Sequence, residues 1–499
     1  MAFAQLTLSE EKQVVVGSSI IIDDESSEVS ETSSWTPEEE AVVRRKLDWR
    51  IVPMVTVLYL LCFLDRINIG NARIEGLAKD LDLVGYRFNI ATSLFYVAYL
   101  LVEIPSNILL KKVGPRFYIP GLVFGFGVVS VGTAFVKTYG QLIAARVLLG
   151  IFEGGALPGI AFFLSSFYKR EELNFRVGIY VSASALAGGF GGLLAAGFTQ
   201  IPEWGIAGSR LHTWRNIFFF EGILTIAIAS FAPLVLPQSL ESSKNLTQRE
   251  RWIATERLRR ELKASPEEKT EARHVKRAIF NVMNCICGAG FFFINITIQG
   301  LSVFLPTILN ELGWESLTAQ YYTVPIYISA SLVAMAMGFI SDKTRMRGAW
   351  LAVFTFLGIT GFGLLRWATG HNLKYAAVYL CAISAFPGGP GFLSWGLNNA
   401  AGPSVRAVTS GYILAIGNVG GILAVWAYLP NDAPNFPIGH SINFAAQIAV
   451  LFLALCGILY CVRENGIRER GGRDHRLQGL TEEGKLALGN KHPDFRYIL

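Results

Sequence analysis

The chain has 499 residues, 52% of them hydrophobic and only 16% charged, with a formal net charge of +6. Soluble domains carry about 25% charged residues, so a soluble globular protein is excluded and an all-α integral membrane protein is expected. The excess of Lys and Arg lies in loops beside apolar runs, which suits a membrane surface and argues against a nucleic-acid partner.

Residues 1–46 are rich in Ser and Glu and predict a disordered cytosolic tail. The apolar run 14–22 is broken by Gly17, Ser18 and Ser19 and is too short to span a bilayer. From there on, apolar runs near the ~20 residues that a bilayer requires recur along the chain. The first six cover 50–70, 89–110, 117–136, 141–166, 176–198 and 215–236. The second six cover 279–309, 320–341, 349–367, 375–398, 407–428 and 442–462. They predict twelve transmembrane helices in two six-helix halves, 47–236 and 279–463, with a cytosolic central loop at 237–278 and a cytosolic tail at 464–499. An amphipathic surface helix rich in Arg and Glu is expected at 246–263. Two halves of six spans are the plan of a secondary carrier.

Basic residues collect on one side of this plan. They are Lys111, Lys112 and Arg116 after span 2, Lys169, Arg170 and Arg176 after span 4, and Lys343, Arg345 and Arg347 after span 8. The positive-inside rule therefore puts both termini in the cytosol. The six cysteines sit in apolar segments without metal or redox spacing and are read as free thiols, and no cofactor is expected. No G-x-x-x-x-G-K-[ST] loop occurs, which disfavours ATP-driven pumping. A transporter rather than an enzyme is expected.

Charges inside the spans are the candidate site, because each costs several kcal/mol unless paired or facing a wet cavity. Asp65 and Arg66 end the apolar run 51–64. An arginine can hold a carboxylate through two parallel hydrogen bonds; alternatively Arg66 braces span 1 against span 4 or 5. Neighbours on a helix differ by about 100°, so one of the two faces the cavity and the other a neighbouring helix. Arg146 and Glu153 share one face of span 4, about 10.5 Å apart along the axis. They are too distant to pair and are read as bracketing a substrate or bridging to Asp65 and Arg66. Glu153, with Asp65, is the expected proton carrier, since burial and a nearby arginine act on its proton affinity in opposite senses. Glu103, near the end of span 2, reads as a gate or loop anchor. Glu221 reads as structural, within reach of Arg215, and Trp214 as an interfacial anchor.

The second half is nearly free of intramembrane charge. Asn295 and Gln299 share a face of span 7, and Trp395, Asn398 and Asn399 form an i, i+3, i+4 set on span 10. Either set suits recognition of a planar substrate or hydrogen bonding between helices. The glycines of 188–192 and Gly417, Gly420 and Gly421 predict close helix packing. The run Pro387-Gly388-Gly389-Pro390-Gly391 predicts a break in span 10.

The segment Gly338, Asp342, Lys343, Arg345 and Arg347 resembles the loop motif G-x-L-x-D-R-x-G-R-R of the major facilitator superfamily, which implies gating or structural roles for Asp342 and Arg345. The stretch LDRINIGNA at 64–72 resembles the signature of the fungal anion:cation symporters, the allantoate, nicotinate and pantothenate permease group. Glu103 to Arg116, Arg146 with Gly150 and Glu153-Gly154-Gly155, Trp214-Arg215 with Glu221-Gly222, Trp395 with Asn398 and Asn399, and the tail Pro493-Asp494-Phe495-Arg496-Tyr497 carry the same resemblance over 45–499. It implies proton-coupled uptake of a small organic anion, such as a vitamin or nitrogen-source carboxylate, by a monomeric multi-pass carrier of the plasma membrane. An exporter or exchanger on the same fold is the alternative, and a non-transporting sensor a further one. The resemblance assigns substrate binding and proton coupling to Arg146 and Glu153.

Overall fold

The computed structural model describes residues 35–206, 209–241, 243, 245–264, 272–401, 403–481 and 488–499. Most of the expected N-terminal tail lies outside these residues, but its last part does not. Helix α1 starts at Pro37 and runs to Ala72, so residues 37–46 are helical rather than disordered. The cause is local. Thr36 and Glu39 form a reciprocal capping box, with Glu39 N donating to Thr36 Oγ1 at 3.3 Å and Thr36 N to Glu39 Oε2 at 3.1 Å. Pro37 occupies the first turn and three acids follow it.

The chain continues through a π-helical turn at Arg73–Leu77, α2 (Ala78–Asp80), α3 (Arg87–Val113), α4 (Pro115–Thr133), α5 (Tyr139–Glu153), α6 (Ala156–Ser165) and α7 (Arg170–Thr199). A two-stranded hairpin of β1 (Trp204–Ile206) and β2 (Ser209–Leu211) precedes α8 (Trp214–Val235). Helices α9 (Gln248–Ala264) and α10 (Ala272–Ile279) form the connection. The second half holds α11 (Val282–Glu311), α12 (Ser316–Thr344), α13 (Arg347–Trp367), α14 (His371–Asn398), α15 (Pro403–Ala427) and α16 (Pro437–Glu469). Among the described residues, 11 helices are long and apolar enough to cross a membrane. Helix α3, 27 residues long, is not counted in that set and occupies the place of span 2.

Each half has its own apolar core. One gathers Val55, Leu58, Phe126, Ile160, Phe163 and Tyr180; the other gathers Ile294, Tyr327, Leu351, Phe362, Phe392 and Trp395. A third cluster joins the halves at the end of the bundle where α1 stops, through Ile69, Phe88, Trp214, Phe304 and Tyr428. Polar contacts close the same end. Asn89 Nδ2 donates to Val425 O at 2.6 Å, Trp426 Nε1 to Ser93 Oγ at 3.0 Å, and Gln320 Nε2 to Glu75 Oε1 at 2.9 Å. Gly70 lets α1 lie against the backbone of α11, since a Cβ there would sit 2.1 Å from Val303 O. Helix α9 docks on the start of α1 through Lys46–Glu250 at 2.6 Å and Arg249–Glu39 at 2.9 Å. Its Arg257 is buried and reaches Glu172 at 3.2 Å and Phe167 O at 3.0 Å.

The helix interruption is not where the Pro-Gly run suggested it. Helix α14 passes unbroken through Pro387 and Pro390, and Gly388 and Gly391 let Ile294 and Leu351 pack against its backbone. Span 4 is interrupted instead: α5 stops at Glu153 and α6 restarts at Ala156. There, a Cβ on Gly154 would meet Tyr99 O at 2.6 Å and one on Gly155 would overlap Ser106 Oγ at 1.7 Å. The absence of side chains lets α3 press against the interruption.

Candidate functional site: a buried ion cluster in the first half

Helices α1, α3, α4, α5 and α8 converge on five ionisable groups. Arg66 Nη2 donates to Glu153 Oε2 at 2.9 Å, and the Glu153 side chain is fully buried. Four rings surround the guanidinium, those of Phe63, Phe95, Tyr99 and Tyr96, at 5.0, 5.2, 5.3 and 6.0 Å from centroid to Cζ. Such rings attract a cation and exclude water. Arg66 and Glu153 therefore form a closed unit, and the bridge between spans 1 and 4 is the geometry adopted. Even so, Arg66 Nε and Glu153 Oε1 have no partner.

Asp65 points away from this unit, as the 100° offset requires. Its Oδ1 accepts from Ser130 Oγ of α4 at 2.6 Å, and Ser130 also approaches Phe218 O of α8 at 3.3 Å. Asp65 Oδ2 has no partner. Arg146 is 3% exposed and lies over the Phe218 ring at 5.5 Å. It interacts electrostatically with Asp65 and Glu153 but makes no hydrogen bond or ion pair among the described residues. Glu221, one turn beyond Phe218 on α8, is 2% exposed, and neither of its oxygens has a partner.

Several expectations change here. Glu221 does not pair with Arg215, whose Nη1 donates to Ala134 O and Val136 O at 2.8 and 2.7 Å. Trp214 is no interfacial anchor, being fully buried with Nε1 on Asp80 Oδ2 at 2.8 Å. Glu103 lies at the junction of the halves, beside Asn418 of α15. Ser130 carried no visible signal, since one serine in an apolar run is unremarkable until Asp65 is brought against it.

The second-half residues make their hydrogen bonds within the protein. Asn295 Nδ2 donates to Gly417 O at 2.7 Å and ties α11 to α15. Gln299 Oε1 accepts from Tyr96 Oη at 3.1 Å, a contact between the halves. Trp395 is fully buried between Gly348 and Gly457, and its Nε1 donates to Ile498 O at 2.9 Å. Asn399 clasps the same residue in both directions, with Ile498 N on Oδ1 at 2.8 Å and Nδ2 on Ile498 O at 3.1 Å. Asn465 does likewise with Tyr497 at 2.8 and 2.9 Å. Trp395 and Asn399 thus receive the C-terminal tail, and a tail some hundred residues downstream leaves no local trace in span 10. Asn398, with its amide oxygen toward Arg347, accepts from Nε and Nη2 at 2.7 and 3.0 Å. Asp342 pairs with Arg347. Arg345 caps α12 in the left-handed conformation, with φ 54°. A cavity of about 370 Å³ lined by Lys137, Glu203, Arg210, His212 and Arg215 opens beside the hairpin and includes none of the ion cluster.

A two-half helical bundle with buried charge between its helices defines a polytopic membrane transporter. The model of the Major Facilitator Superfamily matches residues 55–425, and the chain belongs to that superfamily. It is 34% identical over 466 residues to an uncharacterized transporter of Schizosaccharomyces pombe, covering 93% of this chain and 94% of the relative. It is 32% identical over 464 residues to the high-affinity nicotinic acid transporter of Saccharomyces cerevisiae, covering 93% and 85%. Among solved structures it is similar to a bacterial homolog of the human lysosomal transporter Spinster, with TM-score 0.64, 16% identity, and 85% and 97% of the two chains covered.

Proposed function

We propose that the chain is a proton-coupled carrier that imports a small organic monoanion by alternating access, with twelve spans and both termini in the cytosol of a fungal cell. Arg146 carries this reading. A buried guanidinium without hydrogen bond or ion pair is expensive in a membrane, and a carboxylate arriving from solution supplies the two parallel acceptors it lacks. Arg66 cannot serve equally, because Glu153 and four rings already occupy it. With the termini cytosolic, the end shut by Asn89, Trp426 and Gln320 is the external one. The nicotinic acid transporter among its relatives supports an aromatic or heteroaromatic monocarboxylate as the first substrate to test, and a plasma-membrane location.

The test is uptake of labelled nicotinate and a panel of other organic acids in permease-deficient yeast, in acidic and in neutral medium. Faster uptake of one acid at acidic pH, abolished by collapse of the proton gradient, is the expected result. Absence of proton-stimulated uptake of every acid, at normal surface expression, removes the proposal.

A further inference from the structure

The far end of α1 carries another guanidinium that no acid holds. Arg73 opens the π-helical turn that follows α1. Its Cζ lies 4.4 Å from the ring centroid of Phe88 in α3 and 5.6 Å from that of Phe304 in α11. One ring belongs to each half, and the two meet edge to face at 5.9 Å. Nη1 of Arg73 is buried and has no partner among the described residues. The acids near it in the chain are engaged by other donors. Glu75 accepts from Gln320 at 2.9 Å, Asp80 from Trp214 at 2.8 Å and Asp82 from Arg87 at 2.9 Å. Glu311 of α11 acts on Arg73 only from beyond ion-pair distance. A clasp between the halves does not need such a group, because an apolar side chain would fill the gap without burying a donor that finds no acceptor. Phe88 and Phe304 belong to the apolar cluster that also holds Phe218, the ring beside Arg146. Arg73 and Arg146, neither in an ion pair among the described residues, therefore border one cluster.

We propose that Arg73 is an outer binding residue for the carboxylate of the transported acid, stoppered by Phe88 and Phe304 in this state and uncovered when the external end opens. This rests on the carrier reading above and on the orientation given with it. When the halves part at that end, Phe304 leaves with α11, while Phe88 stays beside Arg73 in the first half. The freed guanidinium offers two parallel donors to a carboxylate, and the uncovered rings offer their faces to an aromatic acid. When the halves close, Phe304 returns and the outer site shuts. Arg146, across the same cluster, is then the cation left for the anion. Arg73 thus sets affinity from outside, and Arg146 sets it from both sides.

The first arm of the test needs no substrate. Yeast spheroplasts carrying the full chain with Arg73→Cys are treated from outside with a charged, membrane-impermeant maleimide. Labelling above that of the wild type is expected, and faster labelling when Phe304→Leu is added. No labelling above wild type at normal surface expression, or no gain from Phe304→Leu, overturns the stoppered outer site. Its failure is separate from failure of the carrier reading, which is judged by proton-stimulated uptake. The second arm measures half-saturation for nicotinate from each side, by uptake and by efflux from preloaded cells. Arg73→Gln is expected to raise the outer value about tenfold, the scale of a hydrogen bond to a charged group, and the inner value much less. Arg73→Lys, which keeps the charge but not the two parallel donors, is expected to fall between Arg73→Gln and wild type. An equal rise on both sides, or none outside, makes Arg73 a structural clasp and overturns the binding role.

Discussion

The charged cluster of the first half and the polar set of Asn295, Gln299, Trp395, Asn398 and Asn399 in the second answer the same problem, polar side chains in apolar helices, in opposite ways. In the second half Asn295, Gln299, Trp395, Asn398 and Asn399 all find protein partners: a helix carbonyl, a tyrosine hydroxyl, the C-terminal tail and Arg347. In the first half Asp65, Arg66, Glu153 and Glu221 each keep an orphan atom, and Arg146 is unbonded among the described residues. Buried polar groups are normally satisfied. A charged group left open costs more than an open amide or hydroxyl, which sets the first-half cluster apart.

The largest test of this contrast is Arg146→Ala. It removes a buried cation that makes no hydrogen bond or ion pair among the described residues, so uptake falls to background while thermal stability falls less than in Arg66→Ala. The expected loss of anion affinity is at least about tenfold, following the ~1.5–3 kcal/mol of a hydrogen bond to a charged group. A variant that unfolds instead would make Arg146 scaffold.

Arg66→Ala reverses the pattern. Breaking a buried pair by removing one partner costs about 3–5 kcal/mol because the other charge is left alone. Stability is therefore expected to drop, and Arg66→Leu combined with Glu153→Leu to recover much of it. A thermal melt in detergent checks both, and equal stability of the single and wild-type proteins would refute the closed pair.

For the second half, Trp395→Ala should cost about 3–5 kcal/mol, as large core truncations do. Transport per folded molecule should stay unchanged. Loss of transport at normal stability would return Trp395 to the substrate path.

The smallest effect is at the surface, where Lys46 and the Thr247 amide, against the opposing effect of partial burial, hold the Glu250 carboxyl below its usual range. A carboxyl lowered by folding contributes stability above its unfolded pKa and loses it as pH falls through the folded value. Glu250→Gln should thus cost under about 1 kcal/mol at neutral pH and nothing in acid, which melting at the two pH values would show.

Much of the fold was legible because a bilayer demands long apolar runs whatever their partners. The interruptions were not. Pro387 and Pro390 read as a break yet lie within a continuous helix, while Gly154 and Gly155, without a proline, mark the real one. Helix α1 was placed too late because its capping box lies in a polar stretch that composition alone assigns to a tail.

At the site, the sequence by itself determined which charges lie in the membrane and, by helical geometry, that Asp65 and Arg66 face different ways and that Arg146 and Glu153 share a face. Only the tertiary structure decided who pairs with whom. Helix period is a local property of the backbone, but an ion pair such as Arg66–Glu153, 87 positions apart, depends on how distant helices are set against each other. The same holds for the two bare oxygens of Glu221: its place in an apolar helix was visible in the sequence, and its lack of a donor is a fact of packing.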